Sequence, residues 1–216
     1  MARFVLVHGA FSGAWIWGPL IDHLKAAGHS VDAFDLPGLG DDDTPVSEVT
    51  LDGCAVRLCE VLATNSEPAI VVGNSMGGVI ATQGAARCPE RVAALVYVSA
   101  FLPKDGQSLL DLTKLPEGAG DQVQANITIE EDPPVAVMPD AASRPALYAS
   151  CAGGGRGLGD RTAAPATNRT IHYASFHTAR SSGWYQPVLR AMHAGSGYPS
   201  AVTAADDCRE RMRRSH

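Results

Sequence analysis

Short apolar runs alternate with longer amphipathic stretches over the first hundred residues, and this alternation constrains the fold more than any other feature. Residues 4–7, 31–34, 69–72 and 94–98 are mostly apolar, as is typical of strands buried on both faces of a sheet. Residues 17–27, 51–62 and 76–86 carry apolar side chains at helical spacing, and Thr50 or Asp52 can cap the second of these helices. Strands that alternate with helices in this way predict a parallel α/β sheet with right-handed crossovers and helices on both faces.

Aliphatic residues become rare after residue 151. Residues 1–151 contain 37 Val, Ile and Leu, whereas residues 152–216 contain five. The net charge changes sign at the same place, from −11 (8 Lys and Arg against 19 Asp and Glu) to +5 (9 Arg against 4 acids). A segment this poor in aliphatic residues buries too little surface to offset its ordering entropy. We therefore expect a folded core over residues 1–151 and an atypical Gly- and Arg-rich tail over residues 152–216, which is either a disordered extension or the product of a shifted reading frame.

The segment from about residue 101 to residue 151 loses the alternation of strands and helices. It is rich in Pro, Gly and acidic residues and contains only short apolar pieces, such as residues 109–112. We expect it to form a partial cap inserted over the carboxyl edge of the sheet. Six of its side chains are candidates for lining a substrate pocket, although ordinary core packing is the interpretation we favour for them: Leu109, Leu112, Leu115, Met138, Leu147 and Tyr148.

Charge and cysteine usage disfavour several classes of protein. The formal net charge of −6 argues against nucleic-acid and membrane-surface binding, which call for a basic face. No apolar run reaches the roughly 20 residues of a membrane span, and the first apolar stretch is too short for a signal peptide. The five cysteines are odd in number and contain no C-x-x-C pair, so we expect no disulfide framework and no metal site. Reduced thiols and a cytoplasmic location are the simplest expectation.

A G-x-S-x-G motif spans residues 73–77, between the third predicted strand and the third predicted helix. In that context the motif is typical of a nucleophile elbow, a tight strand-to-helix turn that exposes a reactive serine, here Ser75. Bulky side chains two positions before or after the serine would collide, and Gly73 and Gly77 avoid that collision. An ordinary Gly-rich turn is the alternative, and a phosphate-binding loop is disfavoured because the Lys-Ser/Thr ending is absent.

The loop after the first strand supplies the second half of a candidate oxyanion hole. Such a hole needs two backbone N–H groups, one from the residue after the nucleophile, Met76, and one from the first strand-to-helix loop, where Ala10 is the candidate. Gly9 allows the backbone to turn closely there. We interpret His8 as a structural residue that bonds to the loop, and not as the general base.

These features resemble the α/β-hydrolase superfamily, and within it the branch of plant-type methylesterases, hydroxynitrile lyases and bacterial salicylate-ester-hydrolase-like proteins. The resemblance covers about residues 3–150 and rests on the Ser75 elbow and four further pieces of sequence: Phe4-Val5-Leu6-Val7-His8-Gly9-Ala10-Phe11, Gly13-Ala14-Trp15, Gly28-His29 and Asp35-Leu36-Pro37-Gly38. It implies a triad in the chain order Ser, acid, His, with Ser75 as the nucleophile. It also implies an oxyanion hole at Ala10 and Met76, and small, often aromatic, ester substrates under a helical cap.

Two departures from the family pattern limit what the resemblance implies. Asn74 stands where family members usually carry His. The last two strands of the family, which would bring the triad Asp and His, have no match in residues 152–216. The triad acid and base are therefore unknown, and chance occurrence is the better account of the titratable residues in the tail: His172, His177, His193 and His216, with Asp160, Asp206 and Asp207 as acids.

Three functions are compatible with the sequence. The first is hydrolysis of a small-molecule carboxylic (methyl) ester by Ser75 through an acyl-enzyme, with no metal or other cofactor. The second is a catalytically impaired or inactive homologue that lacks the acid–base pair. The third is a hydroxynitrile lyase, which ranks last because Gly9 stands where lyases of the family carry a Thr that contacts the cyanohydrin hydroxyl. The active-site Lys of those lyases also belongs to the unmatched region. The sequence does not determine an oligomeric state.

Overall fold

Four parallel strands form the central sheet of this computed structural model, which describes residues 1–131, 134–148 and 171–172. The strands follow the order β2-β1-β3-β4, and their bounds are β1 (Arg3–Val7), β2 (Ser30–Ala33), β3 (Ala69–Ser75) and β4 (Val92–Ala100). The register pairs Leu6 with Ala33 and with Val72, and Val72 in turn with Val96. All four predicted strands and their parallel arrangement are confirmed. β3 is longer than predicted because it continues through the polar residues at its carboxyl end.

Three helices connect these strands: α1 (Gly18–Ala26), α2 (Leu51–Ala63) and α3 (Gly77–Arg87). Each agrees with a predicted helix to within one residue at either end. Thr50 is the N-cap of α2, because its hydroxyl accepts a hydrogen bond from the amide of Gly53 at 3.0 Å. Local sequence was sufficient to position these helices because periodicity and capping are local properties.

One face of the sheet carries the main hydrophobic core. Successive residues of a strand point to opposite faces, so Val5, Val71 and Leu95 share one face. They pack there with Leu58 of α2 and Ile80 of α3. The helix that follows β3 is therefore held tightly under the sheet, and this holds the end of β3 as well.

The opposite face is covered less completely. Leu6 and Val72 pack there with Trp17, which immediately precedes α1. Val96 and Val98 of β4 lie on the same face and keep 40% and 43% of their surface exposed. β4 is the edge strand of the described sheet. Within the described part of the chain, no helix covers this apolar end of the face.

Arg3 is a buried charge that fastens α2 to the amino end of the sheet. Its guanidinium donates to the carbonyl oxygens of Val61 and Leu62 at 2.8 and 2.9 Å, and it pairs with the Asp32 carboxylate at 2.9 Å. The last carbonyls of a helix have no intrahelical donor, and positive charge is favourable there. These contacts lie at the end of the sheet opposite to Ser75.

Cys59 of α2 and Cys88, at the end of α3, form a disulfide. The expectation of reduced thiols is therefore wrong for this pair, whose cysteines become neighbours because α2 and α3 pack side by side. Disulfides persist mainly in oxidising environments, so a cytoplasmic location stays a prediction without support from the cysteines. Cys54 is a free thiol, and its burial raises its pKa to about 12.

Shorter elements follow β4, where the cap was predicted. The helices are α4 (Leu109–Thr113), α5 (Gln122–Asn126) and α6 (Asp140–Tyr148), and the strands β5 (Thr128–Glu131), β6 (Pro134–Val137) and β7 (Ile171–His172) form an antiparallel sheet. Leu109 and Leu112 pack in the main core, so the insertion is attached to the α/β unit. The domain boundary near residue 151 stays a prediction, because residues 149–170 lie outside the described part of the chain. Among the described residues, no helix combines the length and the apolar character that a membrane span requires.

Candidate active site

Ser75 occupies the last position of β3 with a φ of +52°. A positive φ is uncommon and costly for a residue with a Cβ, so the backbone is strained at this position. The flanking glycines make the turn sterically possible. A Cβ on Gly73 would lie 2.6 Å from the carbonyl oxygen of Gly77, and a Cβ on Gly77 would lie 2.7 Å from that of His8. The chain therefore has, at Ser75, the tight turn that the G-x-S-x-G spacing predicts.

Helix α3 begins two residues after this serine. Met76 is the N-cap residue of α3 and is buried. The first amides of a helix have no intrahelical acceptor, and the N-terminus carries a partial positive charge. These amides follow Ser75 directly, so the end of the helix favours negative charge close to the serine.

The loop after β1 lies directly against Ser75. The register pairs Val7 with Gly73, so Gly9 and Ser75 each follow two residues after that pair. A Cβ on Gly9 would lie only 2.8 Å from the Ser75 Cβ. Phe11, two residues further on, has a φ of +55°. The loop thus turns sharply beside the serine, and only a glycine at position 9 allows this approach without a shift.

The backbone N–H groups of Ala10 and Met76 have no acceptor among the described residues. Ala10 follows Gly9 and Met76 follows Ser75, so the two amides belong to the two segments that meet at the serine. Most buried N–H groups are paired within a protein. Unpaired amides beside a nucleophile are able to stabilise negative charge that develops on a substrate.

His8 is fully buried under the loop, and backbone groups engage both of its ring nitrogens. Its Nε2 accepts a hydrogen bond from the amide of Leu36 at 3.1 Å, and its Nδ1 lies 2.8 Å from the carbonyl oxygen of Gly9. An Nε2 that accepts leaves the proton on Nδ1, so the imidazole is neutral. Burial lowers the pKa of His8 below its ordinary value. The structural interpretation of His8 is confirmed.

Asp35 holds the loop after β1 in place, a role that the sequence did not lead us to expect. Its Oδ1 accepts a hydrogen bond from the amide of Ala14 at 2.6 Å, and its Oδ2 accepts one from the amide of Asp41 at 3.1 Å. The carboxylate therefore joins the loop after β1 to the loop after β2. Asp35 and Ala14 are 21 positions apart in the chain, so no local sequence signal marks this contact.

A side chain of α6 contacts the same loop. The hydroxyl of Tyr148, in α6, lies 3.5 Å from the Ser12 Oγ, and the Tyr148 ring centroid lies 6.0 Å from that of Trp15. Ser12 follows Ala10 by two residues, so α6 sits beside the loop that carries one of the unpaired amides.

The candidate pocket liners divide into three groups by exposure. Leu109, Leu112 and Met138 are buried, as ordinary core packing predicts. Leu115 is instead 42% exposed, so the core interpretation is wrong for this residue. Leu115 lies two residues after the end of α4. Leu147 and Tyr148 are half-buried.

The structure describes the side chains of His8, His23 and His29, and none of these three imidazoles forms a hydrogen bond with Ser75. His23 and His29 are engaged by the backbone of Pro19 and Ala2. His172 lies in β7, where it pairs with Val135 of β6. The remaining tail candidates lie outside the described residues: His177, His193, His216, Asp160, Asp206 and Asp207. In residues 1–131, 134–148 and 171–172 no three His, Cys, Asp or Glu side chains group as metal ligands.

Sequence comparison connects these features to known proteins. Residues 4–211 match the profile of the Alpha/beta hydrolase family. The chain is 43% identical to Methylesterase 7 of Arabidopsis thaliana over 105 residues, which are 47% of this chain and 40% of that protein. It is 39% identical to the Alpha-hydroxynitrile lyase of the same plant over 126 residues, or 55% of this chain and 49% of that protein. The chain thus spans no more than about half the length of these relatives.

Solved structures agree with the expected fold class. The crystal structure of polyneuridine aldehyde esterase superposes with a TM-score of 0.70 at 26% identity, covering 87% of this chain and 77% of that chain. The expected fold, a parallel α/β-hydrolase sheet with helices, is therefore confirmed. The family profile runs to residue 211, which is further than the predicted end of the resemblance near residue 150. The plant relatives align over shorter stretches, in agreement with that prediction.

Proposed function

This chain belongs to the Alpha/beta hydrolase family, and from that premise we propose that it hydrolyses a small carboxylic ester with Ser75 as the nucleophile. One observation carries the proposal: Ser75 has a φ of +52° at the turn between β3 and α3, with Gly9 against its Cβ. This turn lies at the carboxyl edge of the sheet, where open α/β sheets bind their ligands. The names of the similar proteins, a methylesterase and polyneuridine aldehyde esterase, support ester hydrolysis.

In the proposed reaction the Ser75 Oγ attacks the carbonyl carbon of the ester. The carbonyl oxygen becomes an oxyanion, which accepts hydrogen bonds from the amides of Ala10 and Met76. Collapse of this intermediate expels the alcohol and leaves an acyl group on Ser75, which water then hydrolyses. The seryl proton passes to a base and from there to the leaving alcohol, a task of the His–Asp pair in complete triads. The proposal assigns no residue of this chain to that proton transfer and requires no metal or cofactor.

Hydrolysis of p-nitrophenyl acetate tests the role of Ser75. We expect the wild-type chain to release p-nitrophenolate with an initial burst from acylation, and Ser75→Ala to fall to the background rate, because the attacking oxygen is gone. Ser99→Ala is the matched control, since Ser99 also has a positive φ, of +44°, at the end of a parallel strand. Turnover by Ser75→Ala at the wild-type rate would exclude Ser75 as the nucleophile.

A catalytically impaired homologue is the second candidate. The observation that favours it is that no described imidazole forms a hydrogen bond with Ser75. An oxyanion hole without a base still supports about 10³- to 10⁴-fold acceleration over water in complete hydrolase folds whose triad is removed. A rate in that range with no dependence on pH between about 6 and 8 would support this candidate, whereas a bell-shaped pH profile would support a complete triad.

A hydroxynitrile lyase is a weaker candidate because of the space at position 9. A Cβ on Gly9 would lie 2.8 Å from the Ser75 Cβ, so the Thr that the resemblance places in lyases would require a shift of the loop. We expect no release of cyanide from mandelonitrile above the Ser75→Ala level. Cyanide release that depends on Ser75 would reverse the ranking of lyase and esterase.

A further inference from the structure

We infer that Asn74 is a positioning residue for Ser75: its side-chain amide holds the end of β4 against the turn that carries the serine. This inference rests on the proposed function, since it concerns how Ser75 is placed for attack. Asn74 directly precedes Ser75 and is partly exposed at the carboxyl edge of the sheet.

The first observation is a hydrogen bond between two strand ends. The Asn74 Nδ2 donates to the carbonyl oxygen of Val98 at 2.9 Å. At this point the ladder between β3 and β4 is irregular, because Asn74 pairs with Val98 while the next residue, Ser75, pairs with Ala100. Ser99 is skipped and takes a φ of +44°. The side-chain bond therefore joins the two strands where their regular backbone register is interrupted.

The segment that follows this irregularity holds the serine turn. The amide of Phe101 donates to the carbonyl oxygen of Ser75 at 3.1 Å. A Cβ on Gly78 would contact the Phe101 carbonyl oxygen and would lie 2.9 Å from the Cβ of Ala100. The turn is thus enclosed between the start of α3 and the end of β4. The position of the Ser75 turn therefore depends on how the end of β4 is aligned with β3. The hydrogen bond from Asn74 controls this alignment.

Asn74 also borders the loop on the other side of the serine. A Cβ on Gly9 would lie 3.1 Å from the backbone oxygen of Asn74 and 3.2 Å from its Oδ1. One residue therefore contacts both neighbours of the serine turn, the β1 loop that leads to Ala10 and the end of β4. Misplacement of reacting groups by about 1 Å costs on the order of 100-fold in rate. A small displacement of Asn74 would change the position of Ser75 relative to the Ala10 amide.

The chemistry of the side chain explains which substitutions matter. The bond to Val98 needs an N–H donor. Aspartate has the shape of asparagine but has no N–H, so it would place an oxygen opposite the Val98 carbonyl oxygen. Histidine, which the family usually carries here, keeps an N–H donor. A role in positioning therefore predicts that the donor, and not the size or polarity of residue 74, sets the reactivity of Ser75.

The test compares serine labelling and turnover in the full chain. A fluorophosphonate probe labels activated serines, and p-nitrophenyl acetate separates kcat from KM. Asn74→Asp should slow labelling and lower kcat by at least about tenfold, while KM and the melting temperature stay at their wild-type values, and Asn74→His should recover most of the rate. Asn126→Asp is the matched control, because the Asn126 Nδ2 also donates to a backbone carbonyl, that of Gln122 at 2.7 Å, on α5.

Three results would overturn the inference. Labelling of Asn74→Asp at the wild-type rate would do so while leaving the proposed function intact. A loss of kcat that Asn126→Asp shares, or that accompanies a lowered melting temperature, would show a general structural role instead. If Asn74→Asp does not fold, the same measurements of labelling rate, kcat and melting temperature on Asn74→Ala and Asn74→His test the inference, with Asn74→Ala as the variant that lacks the donor. A wild-type chain that the probe does not label at Ser75 would overturn the proposed function together with the inference.

Discussion

Two neighbouring strands of this sheet, β3 and β4, each have a serine with a positive φ at or near their end. The residues that surround the two serines differ. Ser75 closes β3 with a φ of +52°, and Ser99 lies near the end of β4 with a φ of +44°. The residues two positions before and after Ser75 are glycines, whereas the corresponding neighbours of Ser99 are Tyr97 and Phe101. A strained backbone at a serine is therefore not sufficient to indicate a nucleophile.

The segments that come after the two serines account for the difference. The largely buried helix α3 begins two residues after Ser75, and the β1 loop approaches the Ser75 Cβ through Gly9. After Ser99 the chain runs without a helix as far as Leu109. The chemistry proposed for Ser75 therefore depends on three conditions together: steric clearance, a helix N-terminus and a second loop whose Ala10 amide has no acceptor among the described residues.

Removing the steric clearance beside Ser75 should have the largest effect on stability. Gly77→Ala should lower the free energy of unfolding by about 3 kcal/mol, because the added methyl group would contact the Val7 carbonyl oxygen and lie 2.7 Å from that of His8. Gly18→Ala is the matched control: Gly18 is likewise the first residue of its helix, and nothing lies within 4 Å of an added Cβ. It should leave stability unchanged or raise it by up to about 1 kcal/mol. Urea unfolding followed by circular dichroism measures both, and a loss below about 0.5 kcal/mol for Gly77→Ala would contradict the steric argument.

The buried imidazole of His8 predicts that the stability of the fold depends on pH. Because burial lowers the pKa of His8 in the folded state, the unfolded chain binds the proton more readily. The free energy of unfolding therefore keeps its full value above the ordinary His pKa of about 6.5. It decreases as the pH falls below that value, with a slope of up to about 1.4 kcal/mol per pH unit. His8→Gln should flatten this slope between about pH 7 and pH 5. Equal slopes for wild type and His8→Gln in urea titrations would be incompatible with this assignment.

Glycine substitutions at the two serines should give the smallest change in stability and the largest difference in activity between the two sites. Glycine adopts a positive φ without the steric cost of a Cβ, so Ser75→Gly and Ser99→Gly should each raise the free energy of unfolding, by no more than about 1 kcal/mol. Only Ser75→Gly should lose hydrolysis of p-nitrophenyl acetate. Melting temperatures and rates measured on the same preparations test this. Equal loss of activity in both variants would mean that the two strand ends are not functionally different.

The parts of the fold that were predictable depend on residues close together in the chain. The four strands and three helices followed from apolar periodicity, and the cap of α2 from Thr50. The turn at Ser75 followed from the G-x-S-x-G spacing, and a Cβ on Gly73 would meet the backbone of Gly77, only four residues further on. Interactions of this kind are present in the sequence before any tertiary contact forms.

The errors concern contacts between distant residues. Cys59 and Cys88 are 29 positions apart, and nothing in their spacing marks them as partners; the packing of α2 against α3 brings them together. Asp35 bonds to Ala14 only because two loops meet above neighbouring strands. Leu115 was expected in the core, but its exposure depends on the direction that the chain takes after α4.

Sequence alone was sufficient for the α/β architecture and for the tight turn at Ser75, since both follow from local periodicity and local sterics. Three features required three-dimensional packing: the approach of Gly9 to Ser75, the two amides that have no acceptor among the described residues, and the link from Asn74 to Val98. They arise because parallel strands bring segments far apart in the chain to the same edge of the sheet. Which atoms then come within bonding distance depends on register and on a single irregularity between β3 and β4, which a pattern of residues does not encode.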